Sequence, residues 1–227
     1  MTILDKIPFE IDTDDVLHQA HLTGVDDKIT TQVGELAEAA RQIARPKAVY
    51  DVLYLGDKTE TTVTIGEVVF VSRILRINLD SVERVFPYVA TCGKELEQIE
   101  PTSSDMIIDY CLDIIKEMAL RAALEHLSKH LKAKYALGRT SQMNPGSLED
   151  WPITEQAKLF KLLGNVEELV GVRLTDSYLM IPAKSLSGIV FPTQVRFESC
   201  QLCRRENCPS RHAPFDPALA QRYGITE

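Results

Sequence analysis

Residues Ser104 to Lys134, SDMIIDYCLDIIKEMALRAALEHLSKHLKAK, decide how the rest of the chain is read. Ile107, Cys111, Ile114, Met118, Ala122, Leu127 and Leu131 fall at helical spacing, which predicts one long helix with an apolar stripe. Ser103 or Ser104 is the expected N-cap, and Asp105 falls in the first turn, where the helix dipole favours an anion. Lys129, Lys132 and Lys134 suit the C-terminal end, and Gly138 stands where a stop is expected.

On either side of this helix the pattern changes. Upstream, AVYDVLYL and TTVTIGEVVFVSRILRINL are rich in Val, Ile, Thr and Tyr and predict strands, with Gly56-Asp57 as a hairpin turn. FPYVATCG (86–93) predicts a further strand closed by Gly93. Downstream come a polar loop (139–152), a helix over ITEQAKLFKLL ended by Gly164, and two strands over 171–191 bent at Pro182. DPALAQRYG predicts a short last helix capped by Asp216. At the other end, Ile29, Val33, Leu36, Ala40 and Ile43 predict a helix that Pro46 stops. The order strands, long helix, loop, helix, strands reads as α+β: an antiparallel sheet packed with long helices. Three segments are expected, a helical leading unit (1–46), the main α+β domain (47–197) and a Cys-rich tail (198–227).

Hydrophobic residues make up 44% of the 227 and charged residues 26%, a balance able to bury a core. No apolar run approaches the roughly 20 residues that span a bilayer. The N-terminus has neither the basic start nor the apolar centre of a secretory signal, so a cytoplasmic location is expected. A net charge of −8 and the lack of a dense basic stretch argue against nucleic acid. The five cysteines, an odd number, argue against a disulfide framework.

Two segments carry a more specific signal. The first holds Arg139-Thr140-Ser141, then Asn144-Pro145-Gly146, then Trp151-Pro152 and a helix with Glu155-Gln156. The second holds Leu174-Thr175-Asp176-Ser177, Met180, Pro182 and Ser185-Leu186-Ser187-Gly188. In this order, after a long helix, they resemble the S-adenosylmethionine-binding activation domain of cobalamin-dependent methionine synthase, over about residues 50–197. That resemblance implies a twisted antiparallel sheet packed with long helices. It also implies a seat for S-adenosylmethionine at Arg139, Pro145, Gly146 and Ser147, and an acidic residue on the long helix for the amino group; Arg121 falls near that position, with Glu117, taken for the role, and Glu125 each one turn away. A guanidinium suits a carboxylate because it grips both oxygens. Proline–glycine fixes one φ and frees the next, so backbone can approach a ligand. Thr175, Ser185, Ser187 and Gly188 are expected to line the pocket or face the corrinoid. Where the family has tyrosine after Pro-Gly, this chain has Ser147.

The resemblance implies an activity: reductive methylation of cobalamin held by a partner, a corrinoid-carrying methyltransferase or a methionine synthase lacking its own activation domain. A flavodoxin or ferredoxin would be a second partner, supplying the electron. Non-catalytic ligand binding or docking, or an iron–sulfur redox role, are the alternative readings. Methyl transfer from a sulfonium needs alignment rather than a general base, so no catalytic residue is expected. Cys200, Cys203 and Cys208 have a spacing that suits zinc or an iron–sulfur cluster, with His212, Cys92 or an exogenous group as a further ligand. His126 and His130, four apart on the long helix, read as a solvated face.

Overall fold

A computed structural model describes residues 1–100, 105–194, 197–208 and 211–225. Its elements are β1 (Thr2–Leu4), α1 (Thr13–Gln19), α2 (Asp27–Ile43), β2 (Lys47–Tyr50), β3 (Leu53–Lys58), β4 (Thr62–Ile65), β5 (Val68–Val71) and α3 (Arg73–Asn78). There follow β6 (Arg84–Thr91), α4 (Met106–Tyr135), β7 (Thr140–Met143), α5 (Gln156–Leu163), α6 (Val166–Val170), β8 (Arg173–Leu174), β9 (Met180–Ile181), β10 (Ser185–Pro192) and α7 (Pro217–Arg222). The fold is α+β, an antiparallel sheet with helices against both faces.

Strand β6 is the centre of the sheet. Along one side it pairs with β10 over Ser185↔Thr91 to Val190↔Phe86. Its other side is shared, by β2 toward the C-terminal end and by β3 toward the N-terminal end. Alternation then sorts the side chains between two faces. Phe86, Tyr88 and Ala90 pack under α4 with Ala123, Leu127 and Leu131. Val89 turns to the opposite face, against Leu163, Val166 and Val170 of α5 and α6.

The long helix forms as its periodicity predicts, with Cys111, Leu127 and Leu131 buried as expected, but at the other four positions the buried residue is the next one along. Ile108, Cys111, Leu112, Ile115, Ala119, Ala123, Leu127 and Leu131 are buried, whereas Ile107 is 36% exposed. The stripe drifts because packing on α1 and α2 and packing on the sheet select slightly different lines of the same helix. Asp105 is the N-cap, its carboxylate accepting from the Ile107 amide. The expected caps Ser103 and Ser104 lie outside the described residues. The helix ends at Ala136, in the left-handed conformation with φ 50°, two residues before Gly138.

Other local expectations change. Gly56-Asp57 is inside β3, and the hairpin turn sits at 59–61, where the Thr59 and Thr62 hydroxyls meet at 2.7 Å. Within the apparent strand VSRILRINL, Ser72 caps α3 by accepting from the Leu75 amide, and its neighbour Asp150 accepts from the Ile74 amide. The polar loop after α4 contributes a strand, β7, which pairs with β10 over Ile189↔Met143 to Pro192↔Thr140.

Both ends of the chain are tied into the body. β1 pairs with β2, while Ile11, Val16 and the buried face of α2 pack beside α4. Phe197, Leu202, Ala220 and Tyr223 join the core formed by β4, β5, Trp151, Ile189 and Phe191.

Candidate functional site

β7 is an edge strand that brings the chain back antiparallel to the end of α4, and a groove opens between them. Along α4, Leu124, Ser128 and Lys132 recur every fourth residue and so form one line. That line is about 12 Å long at 1.5 Å per residue. Gln142 and Val190, opposite each other in the β7–β10 register, contribute to the floor. Their neighbours Met143, Ile189 and Phe191 point the other way, into the core. Phe197, Glu198 and His212, from the C-terminal segment, supply the outer wall. The enclosed volume is about 460 Å³, in the range of small-molecule sites.

The lining is uneven. Leu124, Leu127 and Val190 make an apolar stretch, while Lys132 and Arg139 make the end nearest the C-terminus of α4 cationic. Ser128, Lys132, Gln142 and His212 have no hydrogen bond or ion pair through their side chains among the described residues, so these polar groups are available to a ligand. Arg139 spends Nη1 on the Gln194 carbonyl at 2.9 Å, which fixes the guanidinium at the rim.

The residues expected from sequence divide between this groove and other places. Arg139 lines it. Pro145, Gly146 and Ser147 lie beyond the other end of β7, where Gly146, with φ 83°, donates to the Trp151 carbonyl and packs against Ile153. The preceding residue ties this turn to β10: Asn144 Nδ2 donates to the Ser187 carbonyl at 2.8 Å. Gly188 is where the chains come closest, since a Cβ there would stand 2.3 Å from Asn144 Nδ2. Ser185 and Ser187 are buried on the opposite face, the first donating to Thr91 Oγ1 at 2.9 Å and the second to Gln156 Oε1 at 2.9 Å. Thr175 caps its own turn, accepting from the Leu179 amide at 3.0 Å. Glu117 is about 22 Å from Lys132 along the helix axis, where it pairs with Arg121 and lies 3.8 Å from Lys184. The structure therefore gathers Arg139 with Lys132, Gln142 and His212, and leaves Glu117, Thr175, Ser185 and Ser187 outside the groove.

The cysteines sit on a loop organised by a guanidinium. Arg211 donates to the carbonyls of Cys200 at 3.2 Å, Cys203 at 3.2 Å and Ala213 at 3.1 Å, and also to that of Arg205. The His212 amide lies 3.5 Å from Cys200 Sγ. Among the described residues no three His, Cys, Asp or Glu side chains converge as a metal shell would require. The backbone carbonyls of the loop turn onto Arg211, and the thiols of Cys200, Cys203 and Cys208 are free and half-buried. Cys92 and Cys111 are buried in the α1–α2–α4 core. Desolvation pushes the Cys92 thiol up to about 12, with Glu97 adding to the effect. A second concavity, about 1120 Å³ and lined by Arg204, Arg211, Phe215 and Ile225, lies on the tail.

Sequence reasoning did not place Lys132, Gln142 and His212 in a common groove. Lys132 was detectable through its four-residue spacing from Ser128 and Leu124; His212 was singled out only for its spacing from the cysteines, and the return of the tail brings it to the groove.

Residues 124–209 match the family profile described as vitamin B12 dependent methionine synthase, activation domain. That span begins at Leu124, on the groove line of α4, and includes β7, β10 and all three tail cysteines. Among solved structures, the MetH reactivation domain bound to AdoHcy superposes with a TM-score of 0.59 at 14% identity, over 88% of this chain and 81% of that one. The match carries the fold and bears out the resemblance read from the two motifs. No curated protein matches the sequence. Among the described residues no helix is long and apolar enough to cross a membrane.

Proposed function

We propose that the protein reactivates a corrinoid-dependent methyltransferase, holding S-adenosylmethionine in the α4–β7 groove for transfer of its methyl group to cobalamin carried by a partner. One observation carries this reading. All of the groove's lining residues except His212 fall in the segment that matches the activation-domain profile, and the groove presents unspent polar groups beside an apolar stretch. Leu124, Leu127 and Val190 suit the nucleoside, and Arg139 and Lys132 suit the carboxylate.

S-Adenosylmethionine supplies an electrophilic methyl on sulfur; reduced cobalt supplies the electron pair, so the S–CH₃ bond breaks as the Co–CH₃ bond forms and S-adenosylhomocysteine leaves. The residues of this chain bind and orient the donor; no side chain has to take or give a proton. The corrinoid partner would be a methyltransferase or a methionine synthase without its own activation domain. An electron donor of the flavodoxin or ferredoxin class would reduce the cobalt beforehand. Calorimetry with S-adenosylmethionine tests the first step, and transfer of labelled methyl to a corrinoid protein in the presence of a reductant tests the second. A folded sample that binds donor but never methylates a corrinoid would reduce the role to ligand binding.

A further inference from the structure

The cysteine loop begins where the outer wall of the groove ends. Glu198 lines the groove; its amide donates to Gln201 Oε1 at 2.9 Å, and its carbonyl accepts from the Gln201 amide at 2.9 Å. These bonds start a single 3₁₀ turn over Ser199–Leu202, which the Cys203 amide continues by donating to the Cys200 carbonyl at 3.2 Å. The sides of the turn are divided among its residues. Leu202 packs into the core with Phe197 and Tyr223, and Gln201 is spent on Glu198. The remaining side carries Cys200 and Cys203, because residues three apart in a 3₁₀ turn eclipse one another.

That stacking has a length. At roughly 2.0 Å of rise per residue, Cα atoms three residues apart stand about 6 Å from each other. A disulfide spans Cα separations of about 4.4–6.8 Å. The spacing is also held from outside. Arg211 donates from Nη1 to the Cys200 carbonyl and from Nη2 to the Cys203 carbonyl, each at 3.2 Å, so one planar guanidinium bridges the two cysteines. The Asp216 amide donates to the Gln201 carbonyl between them at 2.8 Å. Both thiols are free and half-buried, within reach of a small reagent. Cys208 belongs to a second turn, in which its carbonyl accepts from the Arg211 amide at 3.2 Å.

We infer that Cys200 and Cys203 are a reversible two-electron redox site that exchanges with low-molecular-weight disulfides, and that Cys208 takes no part. The site does not depend on what the groove holds. The exchange balances in two steps. One cysteine gives up its proton and its sulfur attacks the small disulfide; the S–S bond of that molecule breaks, a mixed disulfide forms, and one small thiol leaves with the proton. The second cysteine then attacks the mixed disulfide and releases the second small thiol in the same way. Two protein thiols are oxidised and one small disulfide is reduced to two thiols. The new bond closes within a single turn and cross-links no two elements, so the fold has no need to rearrange.

Oxidised glutathione is the probe. The full chain, reduced and then treated with it, is unfolded, alkylated at its remaining thiols and mapped by mass spectrometry. Cys200 and Cys203 should be joined to each other, with Cys92, Cys111 and Cys208 alkylated; dithiothreitol should restore all five thiols. Cys200→Ser and Cys203→Ser should each keep one glutathione on the cysteine that is left, whereas Cys208→Ser should oxidise as the parent does. Circular dichroism should be the same in both states. A bridge that includes Cys208, or stable glutathione adducts on the unaltered protein without an internal bridge, would overturn the inference. Thiols that react only after a chelator has stripped a metal from them would overturn it too, as would loss of the circular dichroism signal on oxidation.

Discussion

The Asn144 side-chain amide donates to the Tyr88 hydroxyl at 2.8 Å and, from the same nitrogen, to the Ser187 carbonyl at 2.8 Å. One side chain thus fastens the turn after β7 across β10 to the central strand β6. Tyr88 is fully buried, and desolvation raises its phenol well above the usual range, so the hydroxyl stays neutral and needs its partner.

Asn144→Ala should therefore cost about 1–3 kcal/mol, the penalty for leaving buried polar groups unpaired. Gly188→Ala should cost a similar amount, about 1–3 kcal/mol for overpacking, because its methyl would meet the Met143 carbonyl at 2.6 Å as well as the Asn144 amide. Urea unfolding monitored by circular dichroism measures both. A Gly188→Ala variant as stable as the parent would mean that β7 and β10 part without cost.

Gln142 is exposed on the groove side of β7, so a larger side chain there has room to turn into the cavity without disturbing the core. Gln142→Trp should leave the melting temperature nearly unchanged and abolish calorimetric binding of S-adenosylmethionine. Retained binding would place the ligand elsewhere, with the 1120 Å³ cleft on the tail as the next site to test.

The cysteines divide by burial into two classes. Cys92 and Cys111 are buried and desolvation raises both thiols, whereas Cys200, Cys203 and Cys208 are half-buried. Alkylation of the native protein near pH 8 should label the last three, and mass spectrometry after unfolding should find all five modified. The same shift makes stability depend on pH. An unfolded thiol ionises at about 9, while Cys92 in the folded protein holds its proton to about 12. Its contribution is thus present below pH 9 and is lost as pH rises toward 12. Cys92→Ala should flatten that alkaline decline.

Removing the Arg211 side chain should loosen the cysteine loop before it affects the sheet. The guanidinium bonds four carbonyls of the loop, and no other side chain does so among the described residues. Arg211→Ala should raise hydrogen exchange over residues 197–213 while β6 and β10 remain protected. Uniform loss of protection would show that the tail and sheet open as one unit.

Much of the fold follows from periodicity. The repeat in Ser104–Lys134 gives α4, the β-branched run before it gives most of one half of the sheet, and Asp216-Pro217 sets the start of α7. These features are local, so the sequence specifies them within a few residues. The exceptions are also physical. RILRIN is helical because Ser72 and Asp150 cap it, and Asp150 comes from 76 residues away. β7 is a strand because β10 offers it an edge, despite a polar, loop-like composition.

For the site, sequence by itself singled out Arg139, the Asn144–Gly146 turn and the Ser-x-Ser-Gly stretch, in that order along the chain. Only the tertiary structure decided that Ser185 and Ser187 turn inward to Thr91 and Gln156, while Lys132 and His212 line one groove. The reason is that strand alternation fixes two faces but not which of them receives a helix, and a loop carries no periodicity to show where it returns. Those choices are made by burial of the whole chain.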